Sequence, residues 1–208
     1  MFSGIVEAVG KIVSAQRQKG GVRFTISAPA ISGELKPGES VCVSGACLTT
    51  VSRNPVSFDV ELVPETIKRT ARGRFALGSR VNLERSVRLS DRLGGHLVSG
   101  HVDGVGRVTG RRDEGQGIRL SVSVPAALKR YAVYKGSVAV DGVSLTVASA
   151  TKTGLEIALI PFTLSHTTPD EAKLGAEVNL EMDLLAKYVE RLLAEGGRRI
   201  PPGSGRRR

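Results

Sequence analysis

The sequence lacks any apolar run near the ~18 residues that a membrane-spanning helix requires. Its first residues, MFSGIVEAVG, also lack the basic region, long apolar stretch and small-residue cleavage site of a secretory signal. Nothing in the chain therefore predicts a membrane segment, and we expect a cytoplasmic protein. The hydrophobic fraction of 40% is sufficient for a buried core.

Aromatic residues are also scarce, at 4% of the chain, although the net charge is +10. Half of that charge comes from five arginines near the end, Arg198, Arg199, Arg206, Arg207 and Arg208. Residues 197–208 show no apolar periodicity, and we expect a disordered tail there. The rest of the chain has no basic stripe interleaved with aromatics, so nucleic-acid binding is not favoured. Contact of the tail with RNA or acidic surfaces is the alternative.

Cysteine and histidine are rare, but they include four potential zinc ligands, Cys42, Cys47, His96 and His101. Structural zinc sites do use two cysteines and two histidines. However, the C-x4-C spacing is wider than usual, and we expect the two cysteines to point to opposite sides of their strand and turn. We therefore expect buried thiols and no metal. The third histidine, His166, is expected to lie on the surface.

An internal repeat accounts for the Gly-rich stretch GGHLVSGHVDGVG at residues 94–106. SGIVEAVGK near the start returns as SGHVDGVGR 96 residues later. SVCVSGACLT, LVPET and LGSRVNLE return 97 residues later as SVAVDGVSLT, LIPFT and LGAEVNLE. One insertion between about residues 29 and 40 keeps this register. His101 stands in the second half where Ile5 stands in the first, and His96 is expected only to pin the seam between the halves.

Each half is predicted to be an all-β unit. Segments such as RFTISAP and RLSVSVP alternate polar and apolar residues with the period of half-buried strands, and turn residues separate them. Several short strands predict a small Greek-key barrel. The predicted fold is therefore all-β, with two tandem similar Greek-key β-barrels (residues 1–95 and 96–182) followed by a C-terminal α-helix. Because side chains fill such barrels, ligands should bind at the mouth or outside.

The C-terminal helix is predicted over residues 183–196, with Asp183 as its N-cap and Gly196 as its stop. Its apolar side chains form one stripe of Leu184, Leu185, Tyr188, Val189, Leu192 and Leu193. The stripe could pack on the second barrel or pair with copies of itself. We favour an oligomerisation helix.

Several motifs together resemble the α-type riboflavin synthases, namely MFSGIV, GACLTT, GGHLVSGHV, YKGSVAVDGVSLTV and the LVPET/LIPFT pair. The resemblance implies a homotrimer assembled by the C-terminal helix. It also implies that one 6,7-dimethyl-8-ribityllumazine gives a four-carbon unit to another, which yields riboflavin and 5-amino-6-ribitylaminouracil. The reacting pair would lie between the first barrel of one subunit and the second barrel of its neighbour. No cofactor is implied, and association with lumazine synthase is a further expectation.

The resemblance assigns substrate contacts to matching positions of the two halves. In the first half these are Gly4, Ile5, Val6, Ser40, Cys47, Leu48, Thr49, Glu61, Leu62, Val63, Pro64, Glu65 and Thr66. In the second half they are Gly100, His101, Val102, Lys135, Ser144, Leu145, Thr146, Ile160, Pro161, Phe162, Thr163, Leu164 and Ser165. Each set is expected to surround the ligand of its own barrel. Phe162 departs from the family pattern, because many relatives carry a polar residue there, as Glu65 does in the first half.

Four of these residues are expected to take part in the chemistry. His101 is the candidate general base for proton loss from the C7 methyl group of one lumazine. Ser144, or a water that it holds, would add at C7 of the donor, and Lys135 would stabilise developing negative charge. Cys47 is either a nucleophile or part of the pocket wall, since the sequence shows no cause for an activated thiolate.

Two other functions use similar barrels. A non-enzymatic lumazine- or flavin-binding antenna protein would need only one good pocket and no trimer. A flavin-dependent reductase would need a nucleotide-binding domain, and the sequence has no G-x-G-x-x-G motif that opens a βαβ unit. The enzyme is favoured because the second half keeps His101, Lys135, Ser144 and Thr146.

Overall fold

The computed structural model describes residues 1–71, 75–171 and 173–196. Within these ranges the first half forms the strands β1 (Ala8–Gln18), β2 (Gly21–Ser27), β3 (Ser40–Val43), β4 (Ala46–Arg53), β5 (Ser57–Leu62) and β6 (Arg80–Arg85). The second half forms β7 (Gly104–Glu114), β8 (Gly117–Ser123), β9 (Ser137–Val140), β10 (Val143–Ala150), β11 (Gly154–Leu159) and β12 (Glu177–Met182). The α-helices are α1 (Pro29–Ser32), α2 (Pro64–Arg69), α3 (Pro161–His166) and α4 (Leu184–Gly196).

Each set of six strands closes into an antiparallel barrel with the same neighbour order. The order is β1-β2-β5-β4-β3-β6 in the first barrel and β7-β8-β11-β10-β9-β12 in the second. Because β2 pairs with β5 rather than with β3, the connection is of the Greek-key type. Two tandem barrels followed by a helix confirm the predicted fold class.

The repeat register changes where the sequence predicts it. Ser27 and Ser123, which end β2 and β8, are 96 positions apart, whereas Ser40 and Ser137, which begin β3 and β9, are 97 apart. The segment between these strands is built around α1 in the first half and around a 3-10 helix, Ala126–Tyr131, in the second. A short connecting segment therefore absorbs the insertion without disturbing either barrel.

Each barrel has its own core, made by the inward-facing residues of its strands. In β2, Phe24 and Ile26 are buried, and in β8 the equivalent residues Leu120 and Val122 are buried with Ile118. Alternation of buried and half-buried residues follows the two-residue period of the sequence. Because side chains fill both interiors, candidate ligand sites lie on the outer faces of the barrels.

The two halves meet through equivalent residues. Phe2 and Val98 form an antiparallel bridge, with Phe2 N donating to Val98 O (2.8 Å) and Val98 N donating to Phe2 O (3.0 Å). Around this bridge lies a small apolar cluster that also contains Cys42 and Ala139. Since Phe2 and Val98 occupy the same place in the repeat, a pseudo-twofold axis passes between them.

Two buried asparagines reinforce this seam reciprocally. Asn82 of the first barrel donates its side-chain amide to the Asp141 carbonyl of the second (2.9 Å). Asn179, its equivalent, donates to the Ser44 carbonyl of the first barrel (2.7 Å). Ser44 and Asp141 both have positive φ angles, 43° and 47°, which turn these carbonyls toward the seam. Separating the barrels would leave both buried pairs without partners.

Helix α4 is tied to the second barrel through polar side chains. Lys187 Nζ donates to Asp103 Oδ1 (2.7 Å), and Glu190 accepts hydrogen bonds from Arg130 and Tyr131. The exposed apolar residues of the helix are Leu185, Tyr188, Val189, Leu192 and Leu193, whereas Leu184 is half-buried. The helix thus packs on its own barrel and still leaves most of the predicted stripe uncovered.

The predicted N-cap of α4 is confirmed, because the Leu185 amide donates to Asp183 Oδ1 (2.9 Å). The predicted tail at 197–208 lies outside the described residues. In the described part of the chain, no helix is long and apolar enough to cross a membrane.

Candidate functional site

The two Gly-x-Val segments cross the seam and complete the opposite barrel. Ser144 N in β10 donates to Gly4 O (2.7 Å), and Cys47 N in β4 donates to Gly100 O (2.7 Å). Val6 packs against the core of the second barrel, and Val102 packs against the core of the first. Each candidate groove is therefore built from both halves of the chain.

This exchange corrects the expectation that each half surrounds its own ligand. Gly4 does not join Cys47 in the first groove but lies against Ser144, and Val6 packs on the core of the second barrel. The physical reason is that β1 begins only at Ala8, so the residues before it cross the seam before the chain enters its own barrel. The same holds for Gly100–Val102 before β7.

Two buried glutamates hold these segments in place. Glu84 in β6 accepts hydrogen bonds from Ser3 N (2.6 Å), Ser3 Oγ (2.7 Å) and Gly4 N (2.9 Å). Glu181 in β12 accepts equivalent bonds from the residues that precede His101 (2.7, 2.7 and 2.9 Å). Burial raises the pKa of Glu84, against the hydrogen bonds, which favour its ionised form.

The first groove encloses about 220 Å³ on the outer face of the first barrel. Its lining consists of Ala46, Cys47, Glu65, Thr66, Arg69, Thr70, Gly100, His101 and Val102. Glu65 and Arg69 form an ion pair (2.6 Å), and this contact lowers the pKa of Glu65. His101 is exposed, and its amide donates to Ser99 Oγ (3.2 Å). A base, a thiol and a charged pair thus share this groove.

The second groove contains a histidine–serine pair. His96 Nδ1 lies 2.7 Å from Ser144 Oγ, and the His96 amide donates to Ser3 O (3.1 Å). The His96 ring is buried, and within the described residues its Nε2 has no hydrogen-bond partner. Burial lowers the pKa of His96, although the nearby carboxylates of Asp183 and Glu181 act in the opposite direction. A neutral ring can accept the hydroxyl proton of Ser144.

Lys135 occupies a strained backbone position beside the second barrel. Its φ is +64°, whereas Gly38 holds the equivalent position of the first half with a φ of +90°. Both amides donate to the equivalent strand, Gly38 N to Thr50 O and Lys135 N to Val147 O (2.8 Å each). A left-handed lysine costs about 1–3 kcal/mol, so a lysine at a position that glycine fills in the first half favours a functional role. The ammonium lies 5.5 Å from the centre of the Tyr134 ring.

The remaining predicted contacts lie either on the outer faces of the barrels or in their cores, as strand alternation requires. Thr49 and Thr146 are exposed on the outer faces, and Ser40 is the cross-strand partner of Thr49. Ser40 and Ile5 line a separate cavity of about 570 Å³, most of whose other lining residues are charged. Leu48, Leu62 and Leu145 point into the barrel cores, so they can meet a ligand only through the main chain.

The residues after β5 and β11 have varied surroundings. Glu61 pairs with Arg23 on the outer surface (2.5 Å). Val63 and Ile160 are exposed and immediately precede Pro64 and Pro161, the first residues of α2 and α3. The residues that follow Phe162 are Thr163, Leu164 and Ser165, of which only the first two are half-buried.

The two cysteines lie on the same side of their hairpin. Cys42 and Cys47 are directly opposite in the β3–β4 ladder, and both belong to the cluster at the seam. The expectation that they point to opposite sides is therefore wrong, since opposed residues share a face. Both are free thiols, and burial raises the pKa of Cys42 far above its ordinary value. Among the described residues, no three His, Cys, Asp or Glu side chains gather as a metal site.

Comparison with known proteins decides the family. The lumazine binding domain family matches the chain twice, over residues 3–86 and 99–183. The riboflavin synthase of Mycobacterium tuberculosis is 41% identical over 201 residues, which cover 95% of this chain and 100% of that protein. The riboflavin synthase of Bacillus subtilis is 38% identical and covers 93% of this chain and 90% of that protein. This chain belongs to the riboflavin synthase family. It is an enzyme of the transferase class.

Solved structures show the same fold. LumP complexed with 6,7-dimethyl-8-(1'-D-ribityl) lumazine is 23% identical, with a TM-score of 0.77 over 88% of this chain and 99% of LumP. LumP complexed with riboflavin is 24% identical, with a TM-score of 0.78 over the same shares. At such identity the likeness concerns the fold alone.

Within the riboflavin synthase fold, sequence reasoning missed the ring contact of His96. The seam motif placed His96 beside the second copy of the repeat, and the backbone contact with Ser3 O agrees with a pinning role. However, Ser144 lies 48 residues further along the chain, and no spacing rule connects the two. The scarcity of histidine was the only available signal.

Replacing Gly100 by alanine tests how closely the second Gly-x-Val segment packs against the first barrel. An added Cβ would lie 2.6 Å from Cys47 Cβ at a φ of +78°. Gly78 is the matched control, because its φ is +85° and an added Cβ meets nothing within 4 Å. Gly78→Ala should lower the free energy of unfolding by about 1–2 kcal/mol through backbone strain. Gly100→Ala should cost about 1–3 kcal/mol more in urea titrations. Equal losses would contradict a close-packed seam.

Proposed function

We propose that this chain catalyses the dismutation of two molecules of 6,7-dimethyl-8-ribityllumazine into riboflavin and 5-amino-6-ribitylaminouracil. The observation that carries the proposal is the unequal division of reactive side chains between two equivalent grooves. The first groove has Cys47 and His101, and the second has Ser144 and His96. A protein that only carries a chromophore requires one groove and no such division.

The duplicated barrels suit a reaction between two identical molecules. Two similar grooves can each bind one ring, and a fixed relative position replaces a bimolecular encounter. Such positioning lowers barriers by about 7–11 kcal/mol in well-oriented cases. Because one ring must give carbon and the other must accept it, the grooves are expected to differ in their side chains, as Ile5 differs from His101.

His101 is proposed as the base that removes a proton from the C7 methyl group of the ring in the first groove. Imidazole exchanges protons near neutral pH, and His101 is exposed at the mouth of this groove with its backbone held by Ser99. The resulting carbanion is the group that forms a carbon–carbon bond to the second ring. Cys47 is proposed as part of the wall, because it lies against the Gly100 backbone.

Ser144 is proposed to activate the ring in the second groove, which is then the donor. The neutral His96 ring accepts the Ser144 proton as the hydroxyl oxygen adds at C7. The bond between C7 and the Ser144 oxygen breaks again as the four-carbon unit leaves the donor, and His96 then returns the proton to Ser144. Lys135 is proposed to stabilise the negative charge that moves into this ring. Every carbon that the donor loses is gained by the acceptor, and the protons that are removed are returned. No external oxidant or reductant is therefore required.

We further propose that the functional unit is a homotrimer in which the first groove of one subunit faces the second groove of its neighbour. The support is the exposed apolar face of α4, whose polar face is already engaged with the second barrel. Exposed stripes of this kind favour pairing with further copies. Association with lumazine synthase and a cytoplasmic location stay predictions.

Mixing the purified chain with 6,7-dimethyl-8-ribityllumazine and no added cofactor tests the reaction. We expect growth of the riboflavin absorbance band, with one riboflavin formed for every two lumazines consumed. Tight binding without product would overturn the proposed dismutation and indicate a chromophore carrier instead.

Substitutions of the histidine–serine pair test the proposed roles. Ser144→Ala and His96→Gln should each lower turnover by roughly 10²- to 10⁴-fold with little change in lumazine affinity. Protonation of His96 removes its acceptor nitrogen, and burial lowers the pKa of His96 from its ordinary value, so wild-type turnover should persist at mildly acid pH and decline only on further acidification. Ser90→Ala, in an exposed loop, is the control. Wild-type turnover in His96→Gln would show that this ring does not accept the proton.

Charged substitutions on α4 test the trimer. The double variant Leu185→Lys/Leu192→Lys places two charges on the exposed apolar face and spares Lys187 and Glu190, which hold the helix to its barrel. Sedimentation should then show a monomer that binds lumazine but does not turn it over. Ala194→Lys, on the opposite side of the helix, should stay trimeric and active. A fully active monomer would contradict an inter-subunit site.

A further inference from the structure

The helices α2 and α3 carry different side-chain pairs at equivalent positions. In α2, Glu65 and Arg69 form an ion pair, with Arg69 Nε 2.6 Å from Glu65 Oε1. In α3 the equivalent residues are Phe162 and His166, whose rings stack with centroids 4.0 Å apart and planes inclined by 16°. A charged pair in the first half is therefore an aromatic pair in the second.

The repeat places the aromatic pair at the second groove. In α2, the face that carries Glu65, Thr66 and Arg69 lines the first groove. Both grooves are closed by the same contact, a 2.7 Å hydrogen bond between a strand amide and the opposite half's glycine carbonyl. The equivalent face of α3 carries Phe162 and His166, so the equivalence of the two halves predicts that the stacked rings border the second groove as the ion pair borders the first.

The aromatic pair is fixed and accessible. His166 Nδ1 lies 2.9 Å from the Phe162 carbonyl oxygen and 2.8 Å from Ser165 Oγ, which sets the plane of its ring. The Phe162 side chain is 67% exposed, whereas Phe2 and Phe58 are at most 1% exposed. A rigid flat surface at the edge of a groove is the feature that binds a planar ring by stacking.

We propose that Phe162 and His166 form a stacking platform that makes the second groove the tighter site for an uncharged planar heteroaromatic ring. This inference rests on the proposed function, because the ring concerned is that of its substrate and product. Among the described residues, the first groove has no aromatic ring at this place, and the Arg69 guanidinium is engaged by Glu65. The first groove, lined by Glu65, Arg69 and His101, instead offers charged and hydrogen-bonding groups to the polar edge of a ring.

Riboflavin is the probe, because it is fluorescent, stacks readily and does not react further. Titration of the full chain should resolve two affinities. Phe162→Ala should weaken the tighter one about threefold to tenfold, and Phe162→Tyr should restore it. Glu65→Ala is the matched control in the first groove and should leave the tighter affinity unchanged. Since Phe162 is largely exposed, thermal unfolding of these variants should match the wild type.

The double variant Phe162→Glu/His166→Arg copies the first groove's pair and should bring the two affinities together. A single affinity in the wild type, or unchanged affinities in Phe162→Ala, would overturn the platform. A change of oligomeric mass without a change of affinity would also overturn it, because Phe162 would then serve a subunit contact. Failure of the platform is distinguishable from failure of the dismutation, since riboflavin binding requires no turnover. If the chain turns lumazine over but its riboflavin binding does not depend on Phe162, only the stacking platform is overturned and the dismutation stands.

Discussion

The candidate site depends on two backbone hydrogen bonds across the seam, from Ser144 N to Gly4 O and from Cys47 N to Gly100 O. Because each bond joins a strand of one barrel to the segment that precedes the other barrel, neither groove exists within a single half. Glu84 and Glu181 keep the two segments in place from beneath. Opening of the seam would therefore disrupt both grooves together. A substitution that destabilises the seam also disrupts the site.

The fold could be predicted from the sequence because its determinants are local and duplicated. Strand alternation, turn residues and the repeat offset lie within short stretches, and the shift between Ser27 and Ser40 falls where the repeat requires it. The partner of each Gly-x-Val segment could not be predicted in this way. The same repeat pattern would result whether Val102 packed on its own barrel or on the other one. Only the three-dimensional path of the chain shows that it packs on the other barrel.

The same limit on prediction from sequence applies to the reactive side chains. The difference between His101 and Ile5 could be read from the repeat, because the two positions align. The contact between His96 and Ser144 could not, because His96 belongs to the connection between the repeats and has no aligned partner with which to compare it. The same holds for burial, which lowers the pKa of His96 and depends on the closed seam around it.

Fusion of the two halves explains how equivalent grooves could become different. Two separate, identical halves that exchanged their Gly-x-Val segments would give two identical grooves, and any substitution would appear in both. In one chain, the groove that contains Cys47 receives His101 from the other half, whereas the position equivalent to His101 in the first half is Ile5. The helices add a second difference, because α2 carries the ion pair of Glu65 whereas α3 carries the stacked pair of Phe162. The symmetry of the seam thus holds two sites in place whose chemistry has been free to diverge.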